Sequence, residues 1–176
     1  GLRGDYEPGG RVRFLEDTNH DGRYDKSTLF LSDLPFPTGI MAWGKGVLVC
    51  AAPDIIYAED TNGDGKADKI QKLYSGFATD NYQARVNSLS LGLDNWIYGA
   101  NGRSDGEVRW AGATSEKPVS LRGHDFRFQV DTGQFEAIAG RSQFGLARDD
   151  WGNRFLSWNT NPIRHEVLPE RYLNRN

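Results

Sequence analysis

The chain has 176 residues, 38% of them hydrophobic and 12% aromatic, with 21 glycines and a formal net charge of −3. That length suffices for one ordinary core, and the glycine and aromatic content favours short strands and tight turns over long helices. The charge excludes a global basic field for nucleic acid, and no apolar run approaches the ~18 residues of a membrane span. The single Cys50 excludes an internal disulfide and a CxxCH haem attachment within these residues. Cys50 itself, at the end of Val47–Cys50, reads as a buried small apolar residue.

In chain order, Arg11–Leu15 and Ser27–Leu31 read as strands flanking an acidic loop, Glu16–Lys26 (EDTNHDGRYDK). That loop recurs as Glu59–Lys69 (EDTNGDGKADK), with eight identities in eleven positions at an offset of 43 residues. The offset falls within the ~40–50-residue period of propeller blades. The second loop lies between Ile55–Ala58 and Ile70–Tyr74. A further set of hairpins joins Gly39–Trp43 to Val47–Cys50, Ser88–Leu93 to Trp96–Gly99, and Gly145–Ala147 to Arg154–Trp158, each through turn residues between β-formers. Asp125–Val130 and Phe135–Ile138 make another, across the ordinary Asp131–Gln134 turn.

The predicted fold is all-β: a partial β-propeller of about three four-stranded antiparallel blades. A half blade covers 11–33, a blade 39–76, a blade 88–140 with a long insertion at 101–119, and a partial blade 145–169. About three blades cannot close a ring of four to eight. The chain also begins with Gly1, so further sequence is expected on both sides. An all-β sandwich is the alternative, and the repeat period argues against it. Trp43, Trp96 and Trp151, at or beside the inner turns, are expected to pack between blades.

Both acidic loops read Asp-x-Asn-x-Asp-Gly-x-x-Asp. Calcium takes six to eight oxygen ligands, and alternate residues of a tight loop turn their oxygens inwards. Asp17, Asn19 and Asp21 supply such oxygens, with the Arg23 carbonyl and Asp25; Asp60, Asn62, Asp64, the Lys66 carbonyl and Asp68 repeat the set. An EF-hand would place a bidentate glutamate at position 12; Thr28 and Gln71 stand there, and strands rather than helices flank the loops. Turn chemistry alone explains one or two such residues, not three carboxylates within nine residues, twice. In a blade these loops fall at the end opposite the usual ligand face, so their calcium is expected to be structural.

The other end gathers Thr38, Asp54, Arg85, Asn87, Asn101, Arg103, Gln143, Asn159 and Asn161 from successive blades, the pattern of a ligand site or of ordinary polar loops. Arg85 and Asn87 precede a strong inner strand, Asn101 follows its partner, and an arginine can clamp an anion. His165 is the candidate general base. His20 is expected to face solvent and His124 to lie on a strand away from this end. No P-loop, GxGxxG or Ser-His-Asp spacing is present, and one Cys with three scattered His does not make a zinc site.

The strings LEDTNHDGRYDKSTLF, LPFPTGIMAW, VLVCAAPDIIYAEDTNGDGKADK, QARVNSLSLGLDNWIYGANG, RGHDFRFQVDTGQFEA and SQFGLARDDWGNRFLSWNTNP resemble the PVC-type membrane-bound dehydrogenase β-propeller, over residues 10 to 176. The resemblance implies a large exported bacterial protein, periplasmic or extracellular, with helical repeats and a c-type haem domain outside this chain. That propeller is similar to soluble quinoprotein glucose and sorbosone dehydrogenases. These oxidise a sugar with pyrroloquinoline quinone (PQQ), using a histidine near the start of an inner strand as base. Leu91–Tyr98 looks like the hairpin that follows this base, yet Gln83, Ala84, Arg85, Val86 and Asn87 stand where the histidine is expected. Either another blade supplies the base or the fold is kept without the chemistry. The expected function is a calcium-stabilised segment of a dehydrogenase-like protein acting on a sugar or polyol, inactive alone. The alternatives are a non-catalytic propeller binding glycan or protein partners, and a purely architectural module.

Overall fold

The computed structural model describes residues 7–113 and 117–173. Among them, fifteen strands form four antiparallel sheets, and the only helix is the single turn α1 (Glu170–Leu173). The all-β expectation is borne out. None of the described helical residues forms a helix long and apolar enough to cross a membrane.

The first sheet is the hairpin of β1 (Gly10–Glu16) and β2 (Lys26–Leu34). The second begins as a meander of β3 (Gly39–Trp43), β4 (Gly46–Ala51), β5 (Asp54–Glu59) and β6 (Lys69–Phe77). The third starts with β7 (Asn87–Leu91) and β8 (Ile97–Ala100). The chain then leaves it to form β9 (Gly106–Trp110) and β10 (Val119–Ser120), and returns as β11 (Asp125–Phe128) and β12 (Phe135–Ile138). The fourth sheet holds β13 (Gly145–Arg148), β14 (Arg154–Ser157) and β15 (Arg164–Glu166).

The segment read from sequence as an insertion at 101–119 is more than a loop. Strand β9 pairs antiparallel with β6 and β10 pairs with β9, so the second sheet grows to six strands. Residues 114–116 of that segment lie outside the described residues. The physical reason is twofold. An unpaired outer edge of β6 would leave its amides and carbonyls without partners, and the excursion buries Val108 and Leu121 completely.

Side-chain alternation along the strands explains how the sheets stack. On β4, Leu48 and Cys50 face one core, and Val49 and Ala51 face another. The first of these cores joins the second sheet to the third through Tyr74, Phe77, Ile97, Phe126 and Phe128. The other joins β2, through Leu31 and Leu34, to the opposite face of β4 and β5. A third core joins Tyr98, Ala100 and Ile138 to Leu146 and Leu156 of the fourth sheet. Each sheet thus packs face to face on the next in chain order. Strands covered on both faces must be apolar throughout, which accounts for the unbroken Val47–Ala52 run. Cys50 is fully buried there, and burial pushes its thiol up to about 12.

Tyr74 ties the second and third sheets together. Its ring meets Trp110, Phe128 and Phe135 at 5.5, 4.9 and 5.1 Å, and its hydroxyl reaches the Gln129 and Gln134 carbonyls at 3.1 Å each. Trp43 and Trp96 pack against cores, whereas Trp151 is 83% exposed at its turn and packs between no sheets. The expectation for Trp151 is corrected: the Asp149 side chain accepts its amide and that of Asn153, holding the indole on a solvated turn.

Gly76 is the hinge on which β9 is received. Its φ is +115°, and a Cβ there would stand 2.0 Å from the Glu107 carbonyl oxygen. Gly76→Ala is expected to destabilise by more than the ~1–3 kcal/mol of a sparsely populated backbone region alone, because the clash is with backbone. The midpoint of urea unfolding measures it; an unchanged midpoint would show that β9 can separate from β6 without loss.

Candidate functional site

The first strands of three successive sheets, β3, β7 and β13, lie side by side. Strand β7 lies between β3 and β13 and contacts both. Side chains and carbonyls at their starts are joined across sheets. Thr38 Oγ1 donates to the Val86 carbonyl at 2.5 Å, Asn87 Nδ2 donates to the Gln143 carbonyl at 3.0 Å, and Ser88 Oγ lies 3.2 Å from the Phe144 carbonyl. Asn87 and Ser90 bracket an irregularity in the β7–β8 ladder, and Ser88 within it has a φ of +53°. A bulge of this kind re-aims side chains at the end of a strand.

These starts surround an open cleft of about 200 Å³, lined by Thr38, Tyr82, Gln83, Arg85, Asn87, Ser88 and Phe144. Its rim is aromatic, with Tyr82 53% and Phe144 45% exposed. Arg85, only 6% exposed, lies beneath. Its guanidinium carbon stands 4.8 Å from the Phe36 ring and 4.9 Å from the Tyr82 ring, and Nη2 donates to the Thr79 carbonyl at 2.7 Å. Larger hollows lie elsewhere. The one of about 370 Å³ beside Tyr98 is lined by Arg127, Arg154, Glu136 and Glu166, which already pair with one another.

Of the residues singled out from sequence, the structure brings Thr38, Arg85 and Asn87 to this cleft, with the Gln143 carbonyl behind it. Asn87 is a tie between strands rather than a free ligand: its amide donates to the Arg85 and Gln143 carbonyls. Asn101 is 1% exposed and does not line the cleft. Its side chain donates to the Ser104 and Leu121 carbonyls, pinning the loop after β8. Asp54 is buried and pairs with Lys72 at 2.7 Å. Arg103 stacks over Trp158 at 4.4 Å. His165 sits on β15, stacked on Phe155 at 4.9 Å, and lines a separate hollow with Trp158 and Arg164. It is not placed to act as a base in the cleft. His20 faces solvent, and His124 lies just before β11, 3.3 Å from Glu170. Sequence reasoning missed Tyr82, Gln83, Ser88 and Phe144 as site residues; the available signal was aromatic residues just upstream of β7 and β13.

The acidic loops join β1 to β2 and β5 to β6, and they share one hydrogen-bond scheme. The first aspartate accepts the position-6 amide, from Gly22 to Asp17 at 2.9 Å and from Gly65 to Asp60 at 2.7 Å. Asn19 and Asn62 accept the amides of Asp21 and Asp64, which in turn accept those of Arg23 and Lys66. These turns aim the oxygens of positions 1, 3 and 5 into the loop. The position-9 aspartates have another partner: Asp25 and Asp68 accept the amide and hydroxyl of Thr18 and Thr61. Among the described residues no three His, Cys, Asp or Glu side chains gather closely enough to hold a metal ion. The scheme lowers the Asp25 carboxyl, chiefly through the Thr18 amide and hydroxyl, and the Asp60 carboxyl, chiefly through the Gly65 amide. A carboxyl lowered in the fold stabilises it above the unfolded value of 3.8, and that contribution is lost as pH falls through the lower folded value. The Thr18 and Gly65 amides are therefore expected to stay protected from exchange at pH 5 and to lose protection well below pH 3.8, ahead of the core strands. Amide exchange by NMR reads this directly, and simultaneous loss across loops and core would contradict it.

No curated protein and no solved structure matches the chain. A family model does, over residues 2–176; its description is "Domain of unknown function (DUF7133)", and the chain belongs to that family.

Proposed function

We propose that the chain is a run of β-propeller blades from an exported protein, stiffened by calcium in its two acidic loops, that binds a small polyhydroxylated ligand in the cleft at the starts of its inner strands. The observation that carries this reading is the joining of β3, β7 and β13 at their starts, around one cleft, by the Thr38–Val86, Asn87–Gln143 and Ser88–Phe144 contacts. Sheets packed face to face in chain order, with first strands adjacent, fit successive blades about an axis. The 43-residue spacing of the acidic loops fits the same repeat.

The cleft supports binding rather than chemistry. Among its described lining residues there is no histidine, lysine or carboxylate to take a proton from a sugar hydroxyl. Exposed rings of Tyr82 and Phe144 offer apolar faces to a sugar ring, and Gln83 offers an amide. For sugar oxidation with PQQ both readings stand: another blade of a longer protein supplies the base, or the fold is kept without the chemistry.

Calcium fits the donor set of the loops: three side-chain oxygens and a carbonyl, all hard ligands, turned inwards by the same amide bonds in both. Calorimetry is expected to find two calcium ions per chain and a melting temperature that falls with chelator. No heat at millimolar calcium would reduce both loops to turns. For the cleft, NMR titration with monosaccharides is expected to shift the Tyr82 and Phe144 resonances, and Tyr82→Ala to weaken binding. Shifts confined to other surfaces would remove the reading.

A further inference from the structure

Arg85 is a buried cation without a counter-ion. None of the ion pairs among the described residues includes it. Its Nε is shut off from solvent and has no hydrogen-bond partner, although the residue lines the cleft. Burying a charge is unfavourable unless it is paired, and buried N–H groups without acceptors are rare. The Phe36 and Tyr82 rings and the Thr79 carbonyl offset part of that penalty without neutralising the charge. Every other lining side chain is neutral. Arg85 is therefore the one charged side chain among the described lining residues, and its sign is the sign of the cleft.

We infer that the ligand of this cleft is anionic, a sugar bearing a carboxylate, selected over its neutral counterpart by the Arg85 charge. The inference rests on the cleft reading above and deepens it. A carboxylate is the anion of a sugar acid whose charge and planarity best suit a guanidinium. The aromatic rim takes the ring, and the cation beneath supplies the discrimination. A cleft of about 200 Å³ has room for a single ring rather than a chain.

The test is calorimetric titration of the full chain with glucuronate and with glucose, at low and at high sodium chloride. Glucuronate is expected to bind roughly tenfold to a hundredfold more tightly, the range of a charged hydrogen bond. That advantage is expected to shrink with salt, while glucose binding does not change. Arg85→Gln is expected to erase the preference between the two sugars, and Tyr82→Ala to weaken both alike. If Arg85→Gln does not fold, as its thermal melt would reveal, the salt dependence of the wild-type preference still reads the charge. Equal affinity for the two sugars overturns the inference and leaves the cleft reading standing. Binding of neither sugar overturns both.

Discussion

Asp125→Ala is expected to destabilise the chain by about 2–6 kcal/mol, since it orphans two buried amides at ~1–3 kcal/mol each. Asp125 has no exposed surface. Its carboxylate accepts the Asn101 amide at 3.0 Å, the Ser142 amide at 3.0 and 3.1 Å, and the Ser142 hydroxyl. One side chain thereby fastens the loop after β8 to the segment leading into β13, directly behind the cleft. A domain with ~5–15 kcal/mol of stability would lose a large share of it. Burial raises the Asp125 carboxyl, and the hydrogen bonds from Asn101 and Ser142 oppose the rise. For a carboxyl raised in the fold, the contribution is fullest below the unfolded value of 3.8 and declines as pH rises through the folded value. That is opposite in sign to Asp25 and Asp60. Urea unfolding of wild type and Asp125→Ala should therefore differ most at the acid end. A loss below 1 kcal/mol would mean that the Asn101 and Ser142 amides find other acceptors.

Phe126→Ala is expected to remove about 3–5 kcal/mol, the range for emptying a buried aromatic site. Phe126 is fully buried, with Phe77 at 5.1 Å, Phe135 at 5.4 Å and Phe128 at 6.1 Å. Its ring lies against Gly99, where a Cβ would come within 2.2 Å of it. On that side the site is shaped by a neighbour with no side chain to fill the space. Phe126→Leu should lose less, because more of the volume is kept. Both variants are read by the unfolding midpoint together with its denaturant slope; an unchanged slope shows that the lost stability belongs to the folded core. Asp125 and Phe126 are adjacent in sequence and point to opposite faces of β11, so one strand carries both a polar clamp and a core anchor.

Much of this was legible from local pattern. Turn residues between short apolar runs marked the hairpins, because a chain reversal needs its special backbone within a few residues. The all-β class followed from the same signals. The two acidic loops were found by their repetition, and their amide scheme is local enough that equal residues fold alike. Cys50 was legible as a buried small apolar residue, whereas the burial of both faces of its strand came from the stacking of the sheets.

Long-range placement was not legible. Nothing in Gly106–Trp110 says that it pairs with β6 rather than with its sequence neighbours; an open edge elsewhere decided that. Asn101 and Arg85 are both polar residues beside the β7–β8 hairpin, yet one pins a buried loop and the other lines a cleft. The difference rests on which carbonyls and rings other sheets bring near them. Sequence by itself determined the hairpin strands, the turns and the local amide scheme of the acidic loops, because those depend on residues a few positions apart. Only the tertiary structure decided the cleft, because its walls come from three strands whose starts meet only when the sheets stack.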